Sequence, residues 1–279
     1  MGAVMHPGSS SFALIGGMAL LAGLIYGFLD PGFGLDQSSI AFVVGLAISF
    51  LVIVLAWELP HMWWTHTHTE RSVALRVFPA VIPIAIFCVL LSRATGLHPG
   101  FVFGITAGTV AVAGEATREH EGRSAALGAA TLFGVVLLAW LLWWPVGNAV
   151  GDASHPSFLL LVLDSVLVGT VIAGLQWMVF GLVPMTFLRG GSLFRYSRIL
   201  WAFMIGLGAF TLLYLVLHPV GGLSDSLQPV VSSLIPFIVL ALGSIAFWAY
   251  FRFRPTPDPS AWTDDGEAGG DEESAPVPA

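Results

Sequence analysis

The chain has 279 residues, of which 56% are apolar and 10% charged, and its mean hydropathy is +0.87. Soluble domains carry about a quarter charged residues, so water is excluded as the solvent for most of this chain. A net charge of −7 with no lysine excludes a nucleic-acid partner, and the single cysteine, Cys88, excludes a disulfide framework or a thiolate metal cluster.

In chain order, "MGAVMHPGSSS" has no basic segment ahead of the first apolar run, which is therefore read as a retained signal anchor. His6 spoils the match to a myristoylation signal. Apolar runs long enough to cross a bilayer as helices then recur: Ser11–Leu29, Ser39–Trp57, Val77–Ser92, Gly100–Gly114, Ala125–Val146, Phe158–Val183, Ile199–Leu217 and Val230–Phe251. The expected fold is all-α, a polytopic transmembrane bundle of about eight helices occupying residues 1–254. The third run holds Pro79 and Pro83 and the fourth is short and rich in glycine, so this pair also admits a re-entrant arrangement around "SRATGLHPG". Residues 255–279 form an acidic, Pro- and Gly-rich tail, which holds seven acids, cannot bury a core and is expected to be disordered. The tail is a possible attachment point for a basic protein partner.

Arginine sets the expected orientation. Arg71 and Arg76 follow the second run, Arg118 and Arg123 the fourth, Arg189, Arg195 and Arg198 the sixth, and Arg252 and Arg254 the eighth, while the alternate loops hold only Arg93. Basic residues favour the cytoplasmic side, which places both termini there and the chain in the plasma membrane. "DPGFGL" and "HPGFVFG", with the His-Pro pairs at His155 and His218, are compatible with a duplicated pair of spans and equally with ordinary helix boundaries.

The stretches "LIYGFLDPGFGLDQSSIAFVVGLAISFLVIVLAWELP", "HPGFVFGITAG", "EGRSAAL" and "VFGLVPMTFLRGGSLFRYSR", in that order, resemble the actinobacterial membrane proteins called FGLLP motif-containing. Phe180, Gly181, Leu182, Val183 and Pro184 represent the motif, with Val183 in place of its second leucine. The resemblance extends from about Gly23 to Leu200. It implies a multi-pass membrane architecture and supplies neither an activity nor a substrate. A Leu-Glu-Gly stretch that the resemblance leads one to expect before the motif is here Leu175, Gln176 and Trp177, so no carboxylate role carries over to Gln176.

Polar residues inside apolar runs are the first candidates for chemistry, because each is costly in lipid. Asp164 stands out in "LLLVLDSVLVGT" as a proton or cation site, or as an interhelical hydrogen-bond partner, with Arg93 on the same side as a possible mate. Thr170 and Gln176 follow on the same run; Asp164 and Gln176 lie about 120° apart on a helix and do not share a face. A second constellation is cytoplasmic. Glu58, His61, His66 and His68, with Glu119 and His120, offer carboxylates and imidazoles of the kind that bind divalent ions, although Pro60 interrupts the first group and no His-Glu-x-x-His pattern is present. His98, His155 and His218, with Asp30, Asp36 and Asp152, mark a further possible cation vestibule outside. No nucleophile elbow, Walker loop or cofactor fingerprint occurs, and no cofactor is expected. The reading favours a non-enzymatic membrane protein, a transporter or an embedded partner of another system. The alternative is an intramembrane or metal-dependent enzyme built on the His/Glu loops.

Overall fold

The computed structural model describes residues 12–30, 32–68, 72–96, 100, 102, 107–113, 117–185 and 188–217. The predicted eighth span and the acidic tail lie outside these residues. Among them run seven helices and two strands: α1 Phe12–Gly27, α2 Gln37–His68, β1 Ser72–Val77, α3 Val81–Thr95, β2 Ala107–Ala113, α4 Arg118–Asp152, α5 Phe158–Gly181, α6 Arg189–Tyr196 and α7 Arg198–Leu217.

Four helices, α2, α4, α5 and α7, are long and apolar enough to cross a membrane, and α1 and α3 are shorter apolar helices. Large apolar side chains point outward from several of them: Leu141 is 67% exposed, Leu159 76% and Phe210 68%. Contiguous apolar exposure on this scale is a liability in water and the normal condition in lipid. The described part of the chain is thus built as a helical membrane protein.

α2 and α5 form the centre, and small residues let them approach. A side chain at Gly45 would meet Ser165 Cβ at 2.3 Å. The Ser49 hydroxyl lies 2.9 Å from both the Gly45 and the Val166 carbonyl oxygens, an interhelical bond that costs no charge. Close packing of this kind is how helices associate where lipid removes the hydrophobic driving force. α1 and α4 pack on the flanks of α2, and Ile15, Val54, Leu75 and Ala107 form a buried cluster where α1 and α2 meet the strands.

The fourth expected span is corrected. Its described core is not a helix: Ala107–Ala113 pairs antiparallel with Ser72–Val77, with Leu75 opposite Thr109 and Val77 opposite Ala107. In "AGTVAVA" the β-branched Thr109, Val110 and Val112 favour a strand once a partner strand is at hand, and tertiary pairing overrides the helix preference of the alanines. The third expected span gives its first residue, Val77, to β1, and its helix begins four residues later, beyond Pro79, at Val81. It ends at Gly96, whose φ of 66° closes the helix in the left-handed region where glycine is unstrained.

Three further boundaries moved. α2 continues for eleven residues beyond Trp57, through Pro60, so "ELPHMWWTHTH" is helix and not loop. At about 1.5 Å per residue its 32 residues reach about 48 Å, well past a hydrocarbon core of about 30 Å. α4 likewise starts earlier, at Arg118, where the Thr117 hydroxyl caps the His120 amide, and ends later, at Asp152. Finally, the loop after α5 contains a short helix, α6. At the other end of α2, the Ser38 and Ser39 hydroxyls bond the exposed Asp36 carboxylate, which also accepts both their amides. These bonds, Ser38's first, hold Asp36 well below its ordinary carboxylate range.

Candidate functional site

Three separate elements converge on one buried carboxylate. Glu58 lies on α2 one residue after Trp57 and is 4% exposed. Its Oε2 accepts the Thr109 amide at 3.1 Å and the Thr109 hydroxyl at 2.6 Å, both from β2. It also pairs with the guanidinium of Arg189, the first residue of α6, whose side chain is 18% exposed. Arg189 donates in addition to the Thr109 hydroxyl oxygen and, at 3.4 Å, to the Trp57 carbonyl. Its guanidinium stands 5.9 Å from the Trp57 ring centroid, and Trp57 meets Trp177 of α5 edge to face. A charge-assisted bond between planar groups over an aromatic face is the geometry arginine favours for a buried partner.

The local chain is shaped to allow this. A side chain at Gly128 of α4 would come within 2.8 Å of the Trp57 carbonyl, so glycine there lets α4 lie against the peptide that Arg189 reaches. A side chain at Gly190 would fall 2.2 Å from the Leu182 carbonyl, so α6 can fold back onto the end of α5 only with glycine at that position. The motif residues build the platform beneath. Gly181 faces the Trp57 ring, and Leu182 is fully buried and receives the Trp201 indole N–H on its carbonyl at 2.6 Å. Val183 turns the chain through a bond to the Phe180 carbonyl, and Pro184 follows, exposed. Phe180–Pro184 is thus a helix stop on which α6 and α7 are seated.

A second polar contact lies on the same stretch of α5. Gln176, 3% exposed, acts as a surrogate strand: its Oε1 accepts the Val102 amide at 2.6 Å, and its Nε2 donates to the Gly100 carbonyl at 3.1 Å. Backbone that is not in a helix or sheet needs such partners inside a membrane protein. Two buried polar atoms on α5, Thr170 Oγ1 and Trp177 Nε1, have no hydrogen-bond partner among the described residues. Buried polar atoms without partners are rare in a settled core.

The other sequence candidates go to different places. Asp164 is half-buried and accepts the indole N–H of Trp143 on α4 at 2.9 Å, an interhelical bond; Arg93 does not pair with it but donates to the Phe28 carbonyl at 3.2 Å. The six residues read as possible metal ligands are all described, and no three His, Cys, Asp or Glu side chains come together as a ligand set among the described residues. Glu58 is engaged by Arg189, Glu119 by Arg123 at 2.6 Å, and His120 by Thr117 at 2.8 Å. His68 stacks on Trp64 with centroids 3.9 Å apart, while His66 is exposed and His61 is half-buried. The sequence offers Glu58 as a candidate metal ligand in a polar loop and Arg189 as a topology signal. Their pairing spans 131 residues, a separation that no local pattern reports. The usable signal was a lone glutamate closing a long apolar run, which must find a cation or lose its charge.

Comparison of the chain with protein-family models, with curated proteins and with solved structures finds no match.

Proposed function

We propose that this chain is a multi-pass protein of the plasma membrane with both termini in the cytoplasm, and that it moves protons or small cations, with the Glu58–Arg189 bridge closing the cytoplasmic end of the path. The observation that carries the reading is the bridge itself. A carboxylate and a guanidinium are costly to bury in a membrane protein and are kept where charge moves or where a gate must hold. It ties α2, α6 and a strand together beside a helix whose Thr170 and Trp177 leave buried polar atoms open. Non-helical backbone beside polar groups is the arrangement membrane transporters use to build a path. The alternating arginines support the orientation. The resemblance to the FGLLP motif-containing proteins is compatible with this reading and adds no substrate.

The test is flux. Vesicles holding the purified chain and a trapped pH dye are given a potassium diffusion potential, and sodium uptake is followed in parallel. Parent vesicles should exceed empty ones for protons or sodium, and Glu58→Gln should change the rate at least about fivefold, the equivalent of about 1 kcal/mol in the barrier. Parent vesicles indistinguishable from empty ones for both ions overturn the reading.

A further inference from the structure

Five of the described arginines differ in what they touch. Arg189 has Glu58, Arg123 has Glu119, and Arg93 has a backbone carbonyl. Arg195 and Arg198, at the elbow where α6 passes into α7 through Ser197, have no carboxylate partner among the described residues. Arg195 is exposed and donates to the Ser192 hydroxyl at 3.2 Å. Arg198 is exposed and lies 5.4 Å from the Phe194 ring centroid. Both guanidinium groups are therefore anchored on α6 by neutral side chains, with donors left over. The acids facing this elbow come from α4. Glu119 is taken by Arg123, which also reaches the Tyr196 hydroxyl at 3.4 Å, and Glu121 accepts the Ser192 hydroxyl at 3.3 Å, one group removed from Arg195. Among the described residues neither Arg195 nor Arg198 makes an ion pair with these acids.

The elbow is also firmly built. Phe194 meets Trp201 edge to face with centroids 5.0 Å apart, and Trp201 is fixed to the Leu182 carbonyl. Directly beyond Arg198 the surface turns apolar: Ile199 is 85% exposed and Phe203 60%. Cationic donors held on aromatic side chains, next to uncovered apolar side chains on the first turns of a membrane-length helix, match an amphiphile with an anionic head and a hydrocarbon body.

We propose that the α6–α7 elbow binds an anionic phospholipid, with Arg195 and Arg198 on the phosphate headgroup and Ile199 and Phe203 along the acyl chains. The two arginines are interchangeable with lysine to the extent that charge decides binding, and they contribute about equally.

The experiment is native mass spectrometry of the full chain in detergent, titrated separately with phosphatidylglycerol, phosphatidylcholine and inorganic phosphate. One phosphatidylglycerol should be retained in preference to phosphatidylcholine. Arg198→Gln should weaken it about fivefold and Arg195→Gln/Arg198→Gln about thirtyfold, since each surface cation contributes about a factor of five. Arg195→Lys/Arg198→Lys should keep most of the preference. All variants should melt within about 2 °C of the parent, because both arginines are exposed and surface contacts of this kind contribute little to stability. Equal retention of both lipids, or undiminished phosphatidylglycerol binding by the double glutamine variant, overturns the proposal. Inorganic phosphate that displaces the lipid at equimolar concentration also overturns it, by showing a site for the free anion.

Discussion

Breaking the Glu58–Arg189 bridge from one side should be far more damaging than removing it altogether. Glu58 is 4% exposed, and its Oε2 serves Arg189 and two donors of Thr109. Glu58→Gln leaves the Arg189 guanidinium, 18% exposed, without a counter-charge. Losing one member of a buried pair costs about 3–5 kcal/mol, and the partial exposure of Arg189 puts this case near about 3. For a chain of this size about 1 kcal/mol moves the melting temperature by about 2–4 °C, so Glu58→Gln should lower it by about 6–12 °C. Arg189→Gln should do the same, because it leaves the carboxylate unpaired. Glu58→Leu/Arg189→Met removes both charges and should recover most of the loss. About 1 kcal/mol remains for the Thr109 amide that no longer has an acceptor. The native reporter is Cys88, the single thiol, which is buried and becomes reactive on unfolding. Melting in detergent, followed with a dye that fluoresces on reacting with thiols, gives all four values. Single variants within about 2 °C of the parent, or a double variant whose loss is the sum of the singles, would refute a coupled buried pair.

Other expectations follow from individual contacts. Gly190→Ala drives a methyl group into the Leu182 backbone and should detach α6, lowering the melting temperature at least as far as Glu58→Gln; an unchanged value would show that α6 is not seated there. Asp164→Asn keeps an acceptor for the Trp143 indole and should melt with the parent, whereas Asp164→Leu strands that N–H at a cost of about 1–3 kcal/mol; equal behaviour of the two would remove the interhelical bond. Gln176→Glu turns the donor facing the Gly100 carbonyl into an acceptor and should destabilise more than Gln176→Ala, with the reverse order counting against the surrogate-strand role. The carboxyl of Asp36 is held below its ordinary 3.8, so what it contributes at the start of α2 is fully present above that pH and is lost as pH falls through its lowered folded-state value. Protection of the Ser38 and Ser39 amides, taken relative to their intrinsic exchange rate at each pH, should fall across that acid range in the parent and stay constant in Asp36→Asn.

The sequence made the helices legible wherever one apolar run stands alone between polar boundaries. α5 begins and ends, α1 ends and α7 begins within about two residues of the expected positions, a normal error for helix ends. It failed where a second factor competes. β1 was read as the loop before the third span and β2 as part of the fourth span, and only the pairing between them, 30 residues or more apart, makes strands of them. Pro60 suggested a helix end, yet α2 runs through it; losing one backbone bond is tolerated where packing on both sides of the kink persists. α6 was read as loop because its eight residues carry two arginines and two glycines, and its seating depends on the end of α5. In the candidate site, Gln176 was singled out as a polar residue in an apolar run and Glu58 as a candidate metal ligand, but their partners, the Gly100–Val102 backbone, Thr109 and Arg189, are set by tertiary contact alone.

The account depends most on how the chain threads the bilayer, with the Glu58–Arg189 end inward. Single cysteines introduced in a Cys88→Ala background, one as Ser154→Cys between α4 and α5 and one as His66→Cys at the end of α2, occupy exposed positions at opposite ends. An impermeant maleimide added to intact cells should label the Ser154→Cys protein and leave the His66→Cys protein unlabelled until the membrane is opened. Labelling of His66→Cys from outside, or of both positions alike, would contradict it.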